Sequence, residues 1–175
     1  VKVLVTGGVR SGKSRHAEAL LADRTACYVA AGPVPDVETD PDWVARIRAH
    51  RARRPASWTT RESTDLAAEI DTADRAVLID CLGTWLTAVI DEAQAWESPN
   101  DDVLALVEDH LVTLIDALER SPHDVVVVTN EVGLGVVPEH RSGRLFRDLL
   151  GTVNQRVATA CDEVHLVVAG RVLRL

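Results

Sequence analysis

The sequence predicts an α/β fold, a mainly parallel sheet flanked by helices. Three observations carry this. Short apolar, β-branched runs recur along the 175 residues and alternate with stretches of helical periodicity. The first of them, Val3-Leu4-Val5, ends in a glycine-rich turn that opens a helix. The run Val125-Val126-Val127-Val128 is unbroken, as suits a strand covered on both faces.

Strand 2–6 leads into Gly7-Gly8-Val9-Arg10-Ser11-Gly12-Lys13-Ser14 and then a helix over 13–23. The pattern G-x-x-x-x-G-K-[ST] between a strand and a helix is that of a phosphate-binding loop. Gly7, Gly8 and Gly12 let the backbone turn so that successive N–H groups face phosphate oxygens. The helix N-terminus adds its positive end. Lys13 is expected to reach the β- and γ-phosphates, and Ser14 to place its hydroxyl on Mg²⁺. A strand over 26–31 completes a βαβ unit, after which Gly32-Pro33-Val34-Pro35 breaks regular structure.

Asp40-Pro41-Asp42 has the form of a helix start, and the helix it opens runs to Arg54 and stops at Pro55. Arg46, His50 and Arg53 or Arg54 fall near one face of it. Three readings stand open: a solvated basic face, a nucleic-acid arm, or a phosphate site with His50 as nucleophile. In the last, neighbouring arginines disfavour the imidazolium and hold phosphates in place. The residues alone do not separate the first reading from the third.

Trp58-Thr59-Thr60 reads as a short strand, and 63–72 as a helix capped by Ser63 or Thr64. Ala76-Val77-Leu78-Ile79-Asp80 is a clear strand ending in an acid, the form in which a carboxylate holds Mg²⁺ directly or through water. Cys81 to Thr87 leads into a helix through Ala93, and 94–101 are loop. A long amphipathic helix follows over 102–120, with Val103, Leu104, Leu106, Val107, Leu111, Leu114, Ile115 and Leu118 apolar. The strand over 124–131 ends in Thr129, Asn130 and Glu131. Ligands in open α/β sheets bind beyond the carboxyl ends of strands, so this triplet shares an edge with the phosphate loop and Asp80. Residues 133–138 are loop, 141–161 a helix and 163–169 a last strand, with a short hairpin pairing at Val172-Leu173.

The formal net charge of −8 argues against nucleic acid or an anionic membrane as the main partner. No apolar run is long enough to span a bilayer, and the N-terminus lacks a signal-peptide layout, so the expected location is cytoplasmic. Cys27, Cys81 and Cys161 stand far apart without metal-ligand spacing and read as bland buried thiols, and His110 reads as structural.

These parts together resemble the bifunctional adenosylcobinamide kinase / adenosylcobinamide-phosphate guanylyltransferase family of cobalamin synthesis. The resemblance runs from end to end. It rests on the loop Thr6 to Arg15; on Arg46-Ile47, His50-Arg51 and Arg54-Pro55 leading to Trp58; on Val128-Thr129-Asn130-Glu131-Val132-Gly133 and Val137-Pro138; and on Arg144-Leu145-Phe146-Arg147-Asp148, Gly151 and Asn154-Gln155. It implies two reactions in sequence. ATP or GTP phosphorylates adenosylcobinamide; GTP then passes GMP through a guanylylated histidine to adenosylcobinamide phosphate, giving adenosyl-GDP-cobinamide. His50 is the histidine the resemblance points to. Nucleotide contacts are implied at Gly7, Gly8, Val9, Arg10, Ser11, Gly12, Lys13 and Ser14, at Ala31, Gly32 and Pro33, at Arg51, Ala52, Arg53 and Arg54, and at Glu62 and Thr84. Glu62 has the chemistry to accept from guanine N1–H and its amino group, a pattern adenine lacks. Asn130 and Glu131 are candidates to touch substrate or to support groups that do. The resemblance also implies a homotrimer.

The expectation is therefore one domain over 1–175 with a RecA-like sheet. Lys13, Ser14 and Asp80 serve nucleotide and Mg²⁺, and His50 is the covalent nucleophile. The competing expectation is another P-loop small-molecule kinase that never carries covalent nucleotide. A nucleotide-switched binding module is a third.

Overall fold

The computed structural model describes residues 1–32 and 54–175. The helix expected over 40–54 lies outside the described residues except for its last position. Among the described residues seven strands form one sheet: β1 (Lys2–Gly7), β2 (Ala26–Ala30), β3 (Thr59–Glu62), β4 (Ala76–Asp80), β5 (Val125–Val128), β6 (Glu163–Val168) and β7 (Arg171–Arg174). Their order across it is β3-β2-β4-β5-β1-β6-β7. All pairings are parallel except that of β6 with β7, which is antiparallel. The described helices are α1 (Lys13–Leu20), α2 (Leu66–Asp71), α3 (Leu82–Glu92), α4 (Asn100–Arg120) and α5 (Arg141–Thr159).

The side-chain period of two divides each central strand between two cores. Val125 and Val127 pack with Val77, Ile79 and Leu4 against α2 to α5. Val126 and Val128 pack with Leu78, Tyr28, Val3 and Val5 against Ala17 of α1 and Leu21 just past it. All four valines of β5 are essentially inaccessible, which is why this strand reads as a continuous apolar run.

Several boundaries differ from the sequence reading. Helix α1 ends at Leu20, since the chain turns there with Arg24 N–H donating to Leu21 O. That turn places Arg24 where its carbonyl accepts from Trp58 Nε1 at 2.9 Å. Helix α2 is capped by Asp65, whose Oδ1 accepts from Ala68 N at 3.0 Å, rather than by Ser63 or Thr64. Ser63 instead accepts from Asp65 N, and Thr64 donates to Glu92. Helix α4 begins at Asn100 with two acids in its first turn, two residues before the expected start. Leu104 is exposed because it stands one residue, about 100° of helix rotation, from Val103 on the buried seam. Among the described residues no helix is long and apolar enough to cross a membrane.

Candidate active site

The strand after which everything is hung ends at Gly7, which lies opposite Val167 of β6. A Cβ at Gly7 would stand 2.4 Å from the Val167 carbonyl oxygen and 2.7 Å from Ser11 Oγ, so only glycine lets β1 and the loop close this tightly. Arg10 (φ 56°) and Gly12 (φ 98°) are left-handed and bend the loop back over itself. Ser11 N–H donates to Gly8 O at 3.3 Å, Gly170 N–H of the β6–β7 turn donates to Ser11 O at 2.8 Å, and His16 N–H to Gly12 O at 3.0 Å. Lys13 reaches back across the loop, its Nζ donating to Gly8 O at 3.2 Å. Gly12, the N-cap of α1, supplies no side-chain cap, which leaves the first-turn N–H groups to receive an anion. Ser11 Oγ is buried with no hydrogen-bond partner among the described residues.

A second set of groups lies along the same sheet edge. Strand register aligns Glu62, Ala30 and Asp80 in one row across β3, β2 and β4, and Asp80 with Val128 of β5. Ser63 N–H donates to Ala30 O at 3.2 Å and Ala31 N–H to Asp80 O at 3.3 Å, which carries the chain from β2 over the ends of its neighbours. Gly32 then meets Thr84 of α3: a Cβ at Gly32 would stand 3.0 Å from Thr84 Cβ. Thr84 is held by its own turn, donating to Cys81 O at 2.8 Å and accepting from Cys81 N at 3.3 Å. The structure therefore brings Ala31, Gly32, Glu62, Asp80 and Thr84 together. Pro33, His50, Arg51, Ala52 and Arg53 lie outside the described residues.

Arg54, at the border of the described residues, places its guanidinium over the ring of Tyr28, 3.2 Å from the centroid, and donates to Thr60 Oγ1 at 3.0 Å. Tyr28 in turn donates its hydroxyl to Asp80 Oδ2 at 3.1 Å. Burial, then the Asp80 charge, pushes the Tyr28 phenol far above its ordinary range, so it acts as a donor at every physiological pH. Tyr28 falls within the strand expected over 26–31, and the sequence reading gives it no role of its own. The available signal was a phenol two residues before a strand end, on the face that the neighbouring strand's acid shares.

Thr129, Asn130 and Glu131 follow β5. Thr129 N–H donates to Val5 O and Glu131 N–H to Gly7 O, which extends β5 past its own end alongside β1. Asn154 of α5 clamps the triplet: its Oδ1 accepts from Thr129 Oγ1 at 2.6 Å and its Nδ2 donates to Asn130 O at 3.0 Å. The Asn130 side chain reaches Gly83, three residues after Asp80, where an added Cβ would stand 3.8 Å away. Glu131 Oε1 accepts from Gly133 N at 2.7 Å. The apolar loop beyond, with Leu134 and Val136 almost fully exposed, is tied to α5 by Arg147 donating to Gly133 O and Arg144 to Pro138 O.

Two further groups escaped the sequence reading. His16 of α1 meets buried His165 of β6, Nε2 to Nδ1 at 2.8 Å, and His165 Nε2 meets Glu163 Oε2 at 2.8 Å. Burial first, then His165 and Arg174, hold the His16 imidazole below its ordinary value. The three cysteines are free thiols; burial raises Cys81 and pushes Cys161 up to about 12.

A family model described as cobinamide kinase / cobinamide phosphate guanyltransferase matches residues 3–175. The chain is 45% identical to the bifunctional adenosylcobalamin biosynthesis protein CobU of Salmonella typhimurium over 96% of each chain. It is 42% identical to the protein of the same name in Escherichia coli, again over 96% of each. Against the bifunctional adenosylcobalamin biosynthesis protein CobP of Pseudomonas aeruginosa the identity is 37%, over 95% of this chain and 92% of that one. Among solved structures, an ATPase from the type III secretion system of pathogenic bacteria superimposes with a TM-score of 0.59 at 12% identity. The match covers 94% of this chain, which spans half of that one. That likeness concerns the fold, a mostly parallel sheet of the P-loop NTPase kind.

Proposed function

The chain belongs to the cobinamide kinase / cobinamide phosphate guanyltransferase family, and from that premise we propose that one domain over 1–175 carries both reactions at the edge just described. In the first, ATP or GTP phosphorylates the aminopropanol hydroxyl of adenosylcobinamide: the hydroxyl oxygen bonds to the γ-phosphorus and loses its proton to solvent as the bond from the γ-phosphorus to the bridging oxygen breaks, and the nucleoside diphosphate leaves with that electron pair. In the second, a ring nitrogen of His50 attacks the α-phosphorus of GTP. The P–N bond forms as the α–β P–O bond breaks, and pyrophosphate leaves with the electron pair. A phosphate oxygen of adenosylcobinamide phosphate then attacks the same phosphorus and returns the imidazole, giving adenosyl-GDP-cobinamide. Two easier displacements replace one difficult one.

The observation that carries the reading is the convergence on one sheet edge of a pre-shaped phosphate loop with the row Glu62–Ala30–Asp80 and Thr84. Lys13 and the first-turn N–H groups of α1 bind phosphate oxygens. Glu62, two strands or about 10 Å from Asp80, accepts from the guanine edge, and Ala31, Gly32 and Thr84 line the space between. Arg51, Ala52, Arg53 and Arg54 follow the nucleophile in the chain, and the guanidinium groups of the arginines among them hold phosphates. Asn130 and Glu131 support the acceptor side. The donors Ser14 and Asp80 are hard oxygens suited to Mg²⁺; bound there, the ion supplies neutralisation of phosphate charge. We further infer a homotrimer and a cytoplasmic location, where nucleoside triphosphates are supplied.

The test is incubation with GTP labelled at the α-phosphate, then denaturation and intact-mass analysis of wild type and His50→Ala. An acid-labile GMP adduct on wild type, missing from the variant, is the expected result. An adduct surviving in His50→Ala moves the nucleophile to another histidine. Absence of adduct on wild type with GTP bound refutes guanylyl transfer and leaves a simple kinase.

A further inference from the structure

We propose that Tyr28 is a positioning residue for both reactions: its hydroxyl sets the Asp80 carboxylate while its ring seats Arg54. The inference rests on the reading above, in which Asp80 serves the metal and Arg54 ends the stretch bearing His50.

Register explains how one side chain reaches both. Tyr28 lies opposite Leu78, and Ala30 opposite Asp80, so the carboxylate is the diagonal neighbour of Tyr28 on the same face of β2 and β4. On the other side Tyr28 lies opposite Thr60 of β3. Arg54 covers the Tyr28 ring and donates to Thr60, spanning two adjacent strands one row below Glu62, Ala30 and Asp80. Tyr28 is almost fully buried, and a buried phenol must find an acceptor. A residue that only filled this space needs no hydroxyl, yet here the hydroxyl is spent on the one acid at the end of β4.

The two contacts predict separable functions. The O–H···O bond restrains rotation of the Asp80 carboxylate, so that the donor is already oriented when a cation arrives. The ring gives Arg54 a fixed seat on the sheet, and Arg54 is four residues along the chain from His50. Through Tyr28, the seat of Arg54 and the orientation of the metal-side carboxylate share one anchor.

Tyr28→Phe, Tyr28→Leu and Arg54→Ala separate these roles. Metal affinity is read by titrating the GTP-loaded protein with Mn²⁺ and following free Mn²⁺ by electron paramagnetic resonance. Enzyme guanylylation is read by intact mass in a quenched time course. Tyr28→Phe keeps ring and volume. It is expected to weaken Mn²⁺ by about threefold to tenfold, the cost of ordering one free carboxylate side chain when the ion binds, with the guanylylation rate restored at saturating metal. Tyr28→Leu is expected to show the same metal defect plus a guanylylation rate reduced about tenfold or more at saturating metal. Arg54→Ala is expected to show the rate defect without the metal defect. Wild-type metal affinity in Tyr28→Phe overturns the hydroxyl role. Equal guanylylation rates in Tyr28→Leu and Tyr28→Phe overturn the ring role. If wild type itself forms no adduct, the guanylyltransferase reading fails, while the Mn²⁺ titration of Tyr28→Phe still decides the hydroxyl role.

Discussion

Gly7→Ala and Gly8→Ala change adjacent glycines of one motif, and the structure assigns them opposite outcomes. A Cβ at Gly7 would lie 2.4 Å from Val167 O, whereas real Cβ contacts stay above about 3.0 Å. The Val167 oxygen is backbone of the paired strand β6 and cannot rotate away, so the end of β1 must move by about 0.6 Å against its neighbour. Ser11 Oγ, 2.7 Å from the same point, crowds the escape on the loop side. Overpacking of this kind costs about 1–3 kcal/mol. At about 2–4 °C per kcal/mol for a chain of this size, the midpoint falls by about 2–12 °C. At Gly8 an added Cβ meets nothing within 4 Å and the residue is not at positive φ, so Gly8→Ala is expected within about 0.5 kcal/mol of wild type. Thermal unfolding followed by circular dichroism, with GTP titration of each variant, makes the comparison. Gly7→Ala should also bind GTP more weakly, because the displaced strand end carries the loop. Equal midpoints for Gly7→Ala and wild type, or an equal loss in both variants, would refute the reasoning.

Three further outcomes follow from the same contacts. His16 has a folded-state pKa below its unfolded value, so its contribution to stability is present above about pH 6.5 and is lost as pH falls below that value towards the depressed folded pKa; urea midpoints measured from about pH 7 to about pH 5 should fall more steeply in wild type than in His16→Gln. Asn154→Leu strips Thr129 of its acceptor while leaving that hydroxyl buried, and should lower stability by about 1–3 kcal/mol in urea unfolding. Because desolvation raises the thiols of half-buried Cys81 and Cys161, iodoacetamide at about pH 8 should label both only slowly in the folded protein and at once after denaturation; rapid labelling of the native protein would contradict the raised thiols.

The motif that names a phosphate loop was legible because its chemistry is local: eight consecutive residues set both the turn and the helix start. The β4 and β5 strands were legible for a related reason. Each is buried on both faces, so its sequence is an almost unbroken apolar run, and Ala76–Asp80 has the bounds that were expected. The polar strand β3 was read short, because Arg61 and Glu62 sit on an exposed edge strand where alternation carries no signal. The cap of α2 was missed because Ser63, Thr64 and Asp65 are all competent caps; in the fold Asp65 accepts from Ala68 N, while Ser63 accepts from Asp65 N and Thr64 donates to Glu92.

By itself the sequence determined the fold class, the phosphate loop, the acid at the end of β4 and the family, since each is written in short stretches or in end-to-end likeness. Tertiary structure alone decided which of these residues meet. Tyr28 reaches Asp80 across 52 residues of chain and His16 meets His165 across 149. Neither pairing has a local signature, because both depend on sheet order and strand register. Register is set by which face of each strand must be buried against α1 and which against α2 to α5, and a slip of one residue would turn Tyr28 and Asp80 to opposite faces of the sheet.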